Sequence, residues 1–206
     1  MSLEHWLAFV AAYTVISAIP GPSVFMVTGV AMTRGLRPAL WCVAGDVLGG
    51  VVLIALSLAG VGAILAASAT LFQIVKWAGV AYMAWLGYCQ IRDARRLGSS
   101  ENASLPAIPA RRSLRAGFLT GVLNPKAIIF YVAFLSQFME PGGDPVTQFA
   151  VLVATSTVIV GATLSAFALA AARARRALTS VRARQRFGYA GGSFLIGGSV
   201  LVATSR

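Results

Sequence analysis

Charge is scarce in this chain. Only 11% of its 206 residues are Asp, Glu, Lys or Arg, against about 25% in an ordinary soluble domain. It has six acidic residues, one histidine (His5) and two cysteines (Cys42 and Cys89). A single histidine excludes a multi-histidine metal site. Two cysteines set inside apolar runs give neither a zinc-type spacing nor a disulfide framework. No metal and no cofactor is therefore expected. An enzyme would need a nucleophile–base pair, and only one acidic residue, Asp46, lies inside an apolar run. The phosphate-loop pattern G-x-x-x-x-G-K-[ST] is missing, which argues against ATP hydrolysis within the chain.

What is abundant is apolar surface. Hydrophobic types make up 58% of the residues, and the mean hydropathy is +0.79. Such a chain has too little polar surface to face water all round, so its expected solvent is lipid. Seventeen basic residues against six acidic ones give a net charge of +11. These basic residues sit between apolar runs and form no aromatic-interleaved basic groove. They read as topology signals that also touch anionic lipid, and no nucleic-acid partner is expected.

Six apolar runs are readable: Trp6–Met32, Ala39–Ala67, Thr70–Ile91, Leu114–Met139, Val146–Ala172 and Gly188–Thr204. Each is long enough to cross a hydrocarbon core of about 30 Å as a helix. The third, with Gln73 and Lys76, is the least apolar. The first lacks the basic leader of a secretory signal and is expected to stay in the protein. Arg34 and Arg37 lie between runs one and two. Arg92, Arg95, Arg96, Arg111, Arg112 and Arg115 lie between three and four, and Arg173, Arg175, Arg176, Arg182, Arg184 and Arg186 between five and six. Fourteen of the 17 basic residues thus fall on one side, with Glu4, Glu140, Asp144 and Arg206 on the other. Basic loops stay cytoplasmic, so both termini are expected outside.

The expected fold is an all-α membrane protein of six transmembrane helices. Residues 1–91 form one three-helix repeat, 92–113 a cytoplasmic linker with Pro106 and Pro109, and 114–206 a second repeat. An odd number of spans per half gives the halves opposite orientation, the layout of an inverted repeat.

Each half opens with a span interrupted by proline. The first carries Pro20-Gly21-Pro22 and the fourth Asn124-Pro125-Lys126. Proline lacks an N–H and crowds the carbonyl four residues back, freeing the carbonyls of Ile16, Ala18 and Gly121. In lipid, freed backbone groups must face protein, polar side chains or water; Ser17, Ser23, Thr120 and Asn124 are near in sequence. At 1.5 Å per residue the breaks lie about 21 Å and about 16 Å into their spans. New half-helices are expected from Ser23 and Lys126. Their N-termini, with free N–H groups and partial positive charge, would meet near the midplane and suit a carboxylate. A pair of ordinary proline kinks is the alternative.

Two charges share that depth. Asp46 fits three roles: holding a substrate ammonium, exchanging a coupling proton, or forming a structural ion pair with Lys126. Lys126 adjoins the second break and is too deep to reach the surface easily; it fits either a substrate carboxylate or Asp46. Lys76 is a weaker site candidate, with snorkelling to the outer surface as the plainer account. Small-xxx-small pairs at Gly45/Gly49, Gly117/Gly121 and Gly188/Gly192 suit close helix packing, within the bundle or between copies of a homo-oligomer.

Several of these motifs together resemble the lysine exporter and homoserine–threonine resistance family. They are Ile19-Pro20-Gly21-Pro22-Ser23, Gly35-Leu36-Arg37, Gly45-Asp46 with Gly49, Lys76 through Tyr82 with Leu86-Gly87, and Gly117-Phe118 through Asn124-Pro125-Lys126 with Phe130 and Gln137-Phe138. The likeness covers nearly the whole chain. Ala39, Ser136 and Ser23 depart from the usual residues, which bears on the substrate. The resemblance implies proton-driven export of amino acids or related small metabolites across a bacterial inner membrane. Under that reading, substrate contacts fall to Pro20, Gly21, Pro22, Ser23, Asp46, Asn124, Pro125 and Lys126, with Asp46 also the proton carrier. A passive small-solute channel and a membrane-embedded enzyme are the alternatives.

Overall fold

The computed structural model describes residues 1–57, 69–98, 109–133, 135–140, 142–177 and 181–204. Among these the chain is helical throughout. The helices are α1 (Leu3–Ala18), α2 (Pro22–Arg34), α3 (Leu36–Leu56), α4 (Ala69–Gly98), α5 (Ala110–Val122), α6 (Pro125–Ala133), α7 (Pro145–Ala177) and α8 (Val181–Thr204). A short 3-10 turn, Leu135–Phe138, follows α6.

Local chemistry sets the ends that matter. The Ser2 side chain accepts from the His5 amide and caps α1. Proline at the first position starts α2 and α6, where its missing N–H costs no helical hydrogen bond. α1 and α2 meet at 52° across the three-residue break. α2 ends at Gly35, whose φ of 96° lets the chain reverse directly into α3. A side chain there would also meet Arg175, whose Nη1 would lie 2.8 Å from an added Cβ.

α3, most of α7 (Pro145–Arg175) and the Gln185–Thr204 part of α8 are each long and apolar enough to cross a membrane. α1 and α2, taken together across their break, pass the same test as a bent pair. Large apolar side chains such as Val15, Trp77, Val158 and Leu201 are more than half exposed, a surface that suits lipid and not water. Of the second expected span, residues 58–67 lie outside the described residues. The segment expected to link the halves is helical at both ends: α4 continues through Arg92, Arg95 and Arg96 to Gly98, and α5 starts at Ala110. Likewise α7 and α8 carry helix up to Ala177 and from Val181, so most of the basic residues between the last two apolar runs are helical.

Two helix pairs pack backbone against backbone. α3 lies against α5 through Gly45, Gly49, Gly117 and Gly121. A Cβ on Gly45 would fall 2.0 Å from the Leu114 carbonyl oxygen, and one on Gly117 2.0 Å from that of Cys42. α4 lies against α8 in the same way, with Gly87 facing the Gly192 carbonyl and Gly188 facing Ala94. The small-residue pairs therefore pack within the chain.

Two apolar clusters complete the core. One joins α2, α3, α4, α7 and α8 around Val27, Met32, Leu86, Leu164 and Leu195. The other joins α1, α3, α6 and α7 around Phe9, Tyr13, Phe130, Tyr131 and Leu152. α7, about 50 Å long at 1.5 Å per residue, runs through both. The interrupted helices meet between them.

Candidate functional site

The two breaks face each other across a small cavity of about 50 Å³. Ser23 from the start of α2, Asp46 from α3, and Asn124 and Lys126 from the α5–α6 break all line it. Ser23, Asp46 and Asn124 are 6%, 4% and 5% exposed, so their polar atoms must find partners within the protein.

They find one another. The Lys126 backbone N–H donates to Asn124 Oδ1 at 3.1 Å, an N-terminal cap on α6. Asn124 Nδ2 donates to Ser23 Oγ at 3.0 Å. The Ser23 hydroxyl donates to Asp46 Oδ1 at 2.6 Å. One continuous chain of hydrogen bonds thus joins the second break, the first break and the buried carboxylate.

The Lys126 ammonium is used differently. It donates to the carbonyls of Ile16 at 2.9 Å and Ile19 at 2.8 Å, and a Cβ added to Gly21 would lie 3.5 Å from its Nζ. The second break therefore satisfies carbonyls at the first, including the one across from Pro20. Asp46 and Lys126 share the cavity, but no ion pair joins them among the described residues.

The proline positions shape the breaks more than they line the cavity. Pro22 and Pro125 open α2 and α6, Gly21 is the N-cap residue of α2, and Pro20 is exposed. Lys76 lies half-buried on α4 and does not line this cavity.

Side chains crowd both ends of the cavity. Toward Met1, Tyr13 and Tyr131 join their hydroxyls in a short hydrogen bond. Phe9 stacks on Tyr13 with centroids 5.5 Å apart, and Phe130 and Phe138 close in around them. Toward the arginines, Thr120 Oγ1 meets Met26 Sδ at 3.0 Å, and the Tyr82 hydroxyl donates to the Ala116 carbonyl at 2.8 Å. Beyond that contact lies a second cavity of about 160 Å³, lined in part by Arg34, Arg92 and Arg112.

The aromatic closure and the Met26–Thr120 contact are absent from the sequence reading. The available signal was spacing: Tyr13 and Tyr131 each lie about two helical turns from a break, on the cavity side. At the same end as the aromatic stack, Glu140 ties the start of α1 to the segment before α7. It accepts from the Ser2 amide at 2.8 Å and lies 3.0 Å from His5 Nδ1 and 3.5 Å from the terminal ammonium. Hydrogen bonds from Ser2, with the nearby positive charge, hold its carboxyl down at about 2.

A family model described as LysE type translocator matches residues 14–205. An uncharacterized membrane protein of Vibrio cholerae is 31% identical over 206 residues, covering 100% of both chains. A homoserine/homoserine lactone efflux protein of Salmonella typhimurium is 28% identical over 207 residues, covering 100% of this chain and 99% of its own. A leucine efflux protein of Klebsiella pneumoniae is 31% identical over 158 residues, 75% of this chain and 73% of its own. No solved structure is significantly similar to the chain.

Proposed function

The chain belongs to the LysE family of translocators, and from that premise we propose that it is a secondary transporter exporting amino acids or close analogues by alternating access. The efflux proteins among its relatives support the substrate class. The observation that carries the reading is the hydrogen-bonded chain Lys126–Asn124–Ser23–Asp46 in a cavity between two broken helices.

The donors there suit a carboxylate. An ammonium has three N–H bonds to give, and Lys126 gives two to Ile16 and Ile19. The third, with the first-turn amides of α2, meets the substrate carboxylate. Asp46 is the only acidic side chain lining the cavity among the described residues. It takes the substrate ammonium or the coupling proton, and a carboxylate at membrane depth serves such work.

Sidedness follows from charge. The arginine end faces the cytoplasm and both termini face outward, in the inner membrane. Substrate enters past Met26 and Thr120 and leaves past Tyr13 and Tyr131. The two three-helix halves, inverted in the membrane, rock about the shared site.

The test is flux from vesicles containing the purified protein and loaded with labelled amino acids. The expected result is saturable efflux that a proton gradient accelerates. Flux that rises linearly with concentration makes the protein a channel, and no flux of any amino acid removes the exporter reading.

A further inference from the structure

The larger cavity at the arginine end holds a set of groups that the central site does not use. It lies among α2, α3, α4 and α5, and Gln90, Arg92, Arg112 and Ser113 line it together with both cysteines of the chain. Two of these lining residues each carry a buried side-chain atom without a hydrogen-bond partner: Gln90 Oε1 and Arg92 Nε. Buried orphans are rare, and each costs the desolvation of its group. Two on residues that line one cavity point to a ligand that answers them.

The chemistry of that ligand can be read from the groups. Gln90 Nε2 donates to the Phe25 carbonyl at 2.6 Å, which fixes the amide so that its oxygen is the free end. The amide is held in a slot between glycines. A Cβ on Gly29 would fall 2.2 Å from Nε2, and one on Gly191 2.7 Å from Oε1. A fixed, unanswered acceptor calls for a donor such as an ammonium. Arg92 Nε, an unanswered donor, calls for an acceptor such as a carboxylate. The Arg112 guanidinium stands exposed at the rim and adds charge of the same sign. Arg34 and Arg92 both lean on Asp93, at 2.7 Å and 3.4 Å, so its charge is already answered.

We propose that this cavity is a second binding site for a zwitterionic amino acid, in which Arg92 and Arg112 hold the carboxylate and Gln90 Oε1 accepts from the ammonium. This proposal rests on the exporter reading and deepens it: the site loads substrate before it passes Met26 and Thr120 to the central cavity.

The chain's own cysteines test it. Cys42 and Cys89 line this cavity and not the central one. The full chain is placed in nanodiscs of phosphatidylcholine, and alkylation of Cys89 by N-ethylmaleimide is followed by mass spectrometry with each standard L-amino acid present at millimolar concentration. An exported amino acid is expected to slow Cys89 alkylation at least about threefold, the slowing that two-thirds occupancy gives. Asp46→Asn, which disables the central site, is expected to keep that protection. Arg112→Gln, a change at an exposed position, is expected to weaken it about tenfold through loss of a charged hydrogen bond.

Vesicle flux separates the two readings. Flux without protection of Cys89 overturns the second site alone. Protection without flux keeps the site and removes the exporter reading, and neither effect removes both. Equal protection in Arg112→Gln overturns the assignment of the carboxylate. Protection by phosphatidylethanolamine in the nanodisc, with no amino acid added, makes the cavity a lipid headgroup site and overturns the proposal.

Discussion

Asn124 and Ser23, 101 residues apart in the chain, hydrogen-bond at 3.0 Å across two helix breaks. Each does a second task. Asn124 caps α6, and Ser23 donates to Asp46. Neither break can open without disturbing the other.

Ser23→Ala removes the middle of this chain and leaves Asp46 and Asn124 each short of a partner in a buried site. A loss of about 1–3 kcal/mol is expected for an unsatisfied buried group, read as a lower thermal midpoint in detergent. An unchanged midpoint means that water or a neighbour replaces the hydroxyl at no cost.

Asp46→Asn keeps the size of the side chain and its ability to accept from Ser23, but removes the charge. The protein is expected to reach the membrane in normal amount, with efflux at least about tenfold slower, as for a lost charge-assisted contact. Normal gradient-driven flux would take Asp46 out of the mechanism.

Pro125→Ala restores an N–H where α6 begins and lets helix continue from α5. Export is expected to fall several-fold as Asn124 and Lys126 turn away from Ser23 and Ile16. Unchanged KM and kcat for efflux would mark Pro125 as an ordinary kink.

Glu140 supplies a pH test outside the bundle. Its carboxyl sits at about 2 against an ordinary 4.5, so the folded state binds its proton less readily than the unfolded state. Its stabilising effect is full above 4.5 and lost as pH falls toward 2. The difference in thermal midpoint between the native chain and Glu140→Gln is expected to shrink as pH falls through that window. A difference independent of pH would remove the charge from the account.

Orientation is open to labelling. With Cys42 and Cys89 replaced by serine, a cysteine at Gly143 is expected to react with an impermeant maleimide from outside, and one at Arg182 only after the cells are opened. The reverse pattern inverts the direction of transport.

The sequence made the breaks legible because proline acts locally: a missing N–H can be read without knowing any neighbour. The starts of α2 at Pro22 and α6 at Pro125 fall within a residue of the expected half-helices. Ser23, Asp46, Asn124 and Lys126 were legible as polar groups stranded at membrane depth. Their partners were not. Lys126 reaches the Ile16 and Ile19 carbonyls and not Asp46, because pairing depends on how each helix is rotated. Sequence polarity records that rotation poorly in a bundle whose outside is as apolar as its inside. The Tyr13–Tyr131 pair and the Gln90 slot were hidden for the same reason.

The glycine seam between α3 and α5 has a mechanical consequence. With carbonyl oxygens seated where side chains would otherwise stand, there is no layer of rotamers to yield, so one helix cannot slide along the other without first lifting away. Because α3 lies in the first half of the chain and α5 in the second, rocking of one half against the other has to pivot about this seam and cannot shear along it.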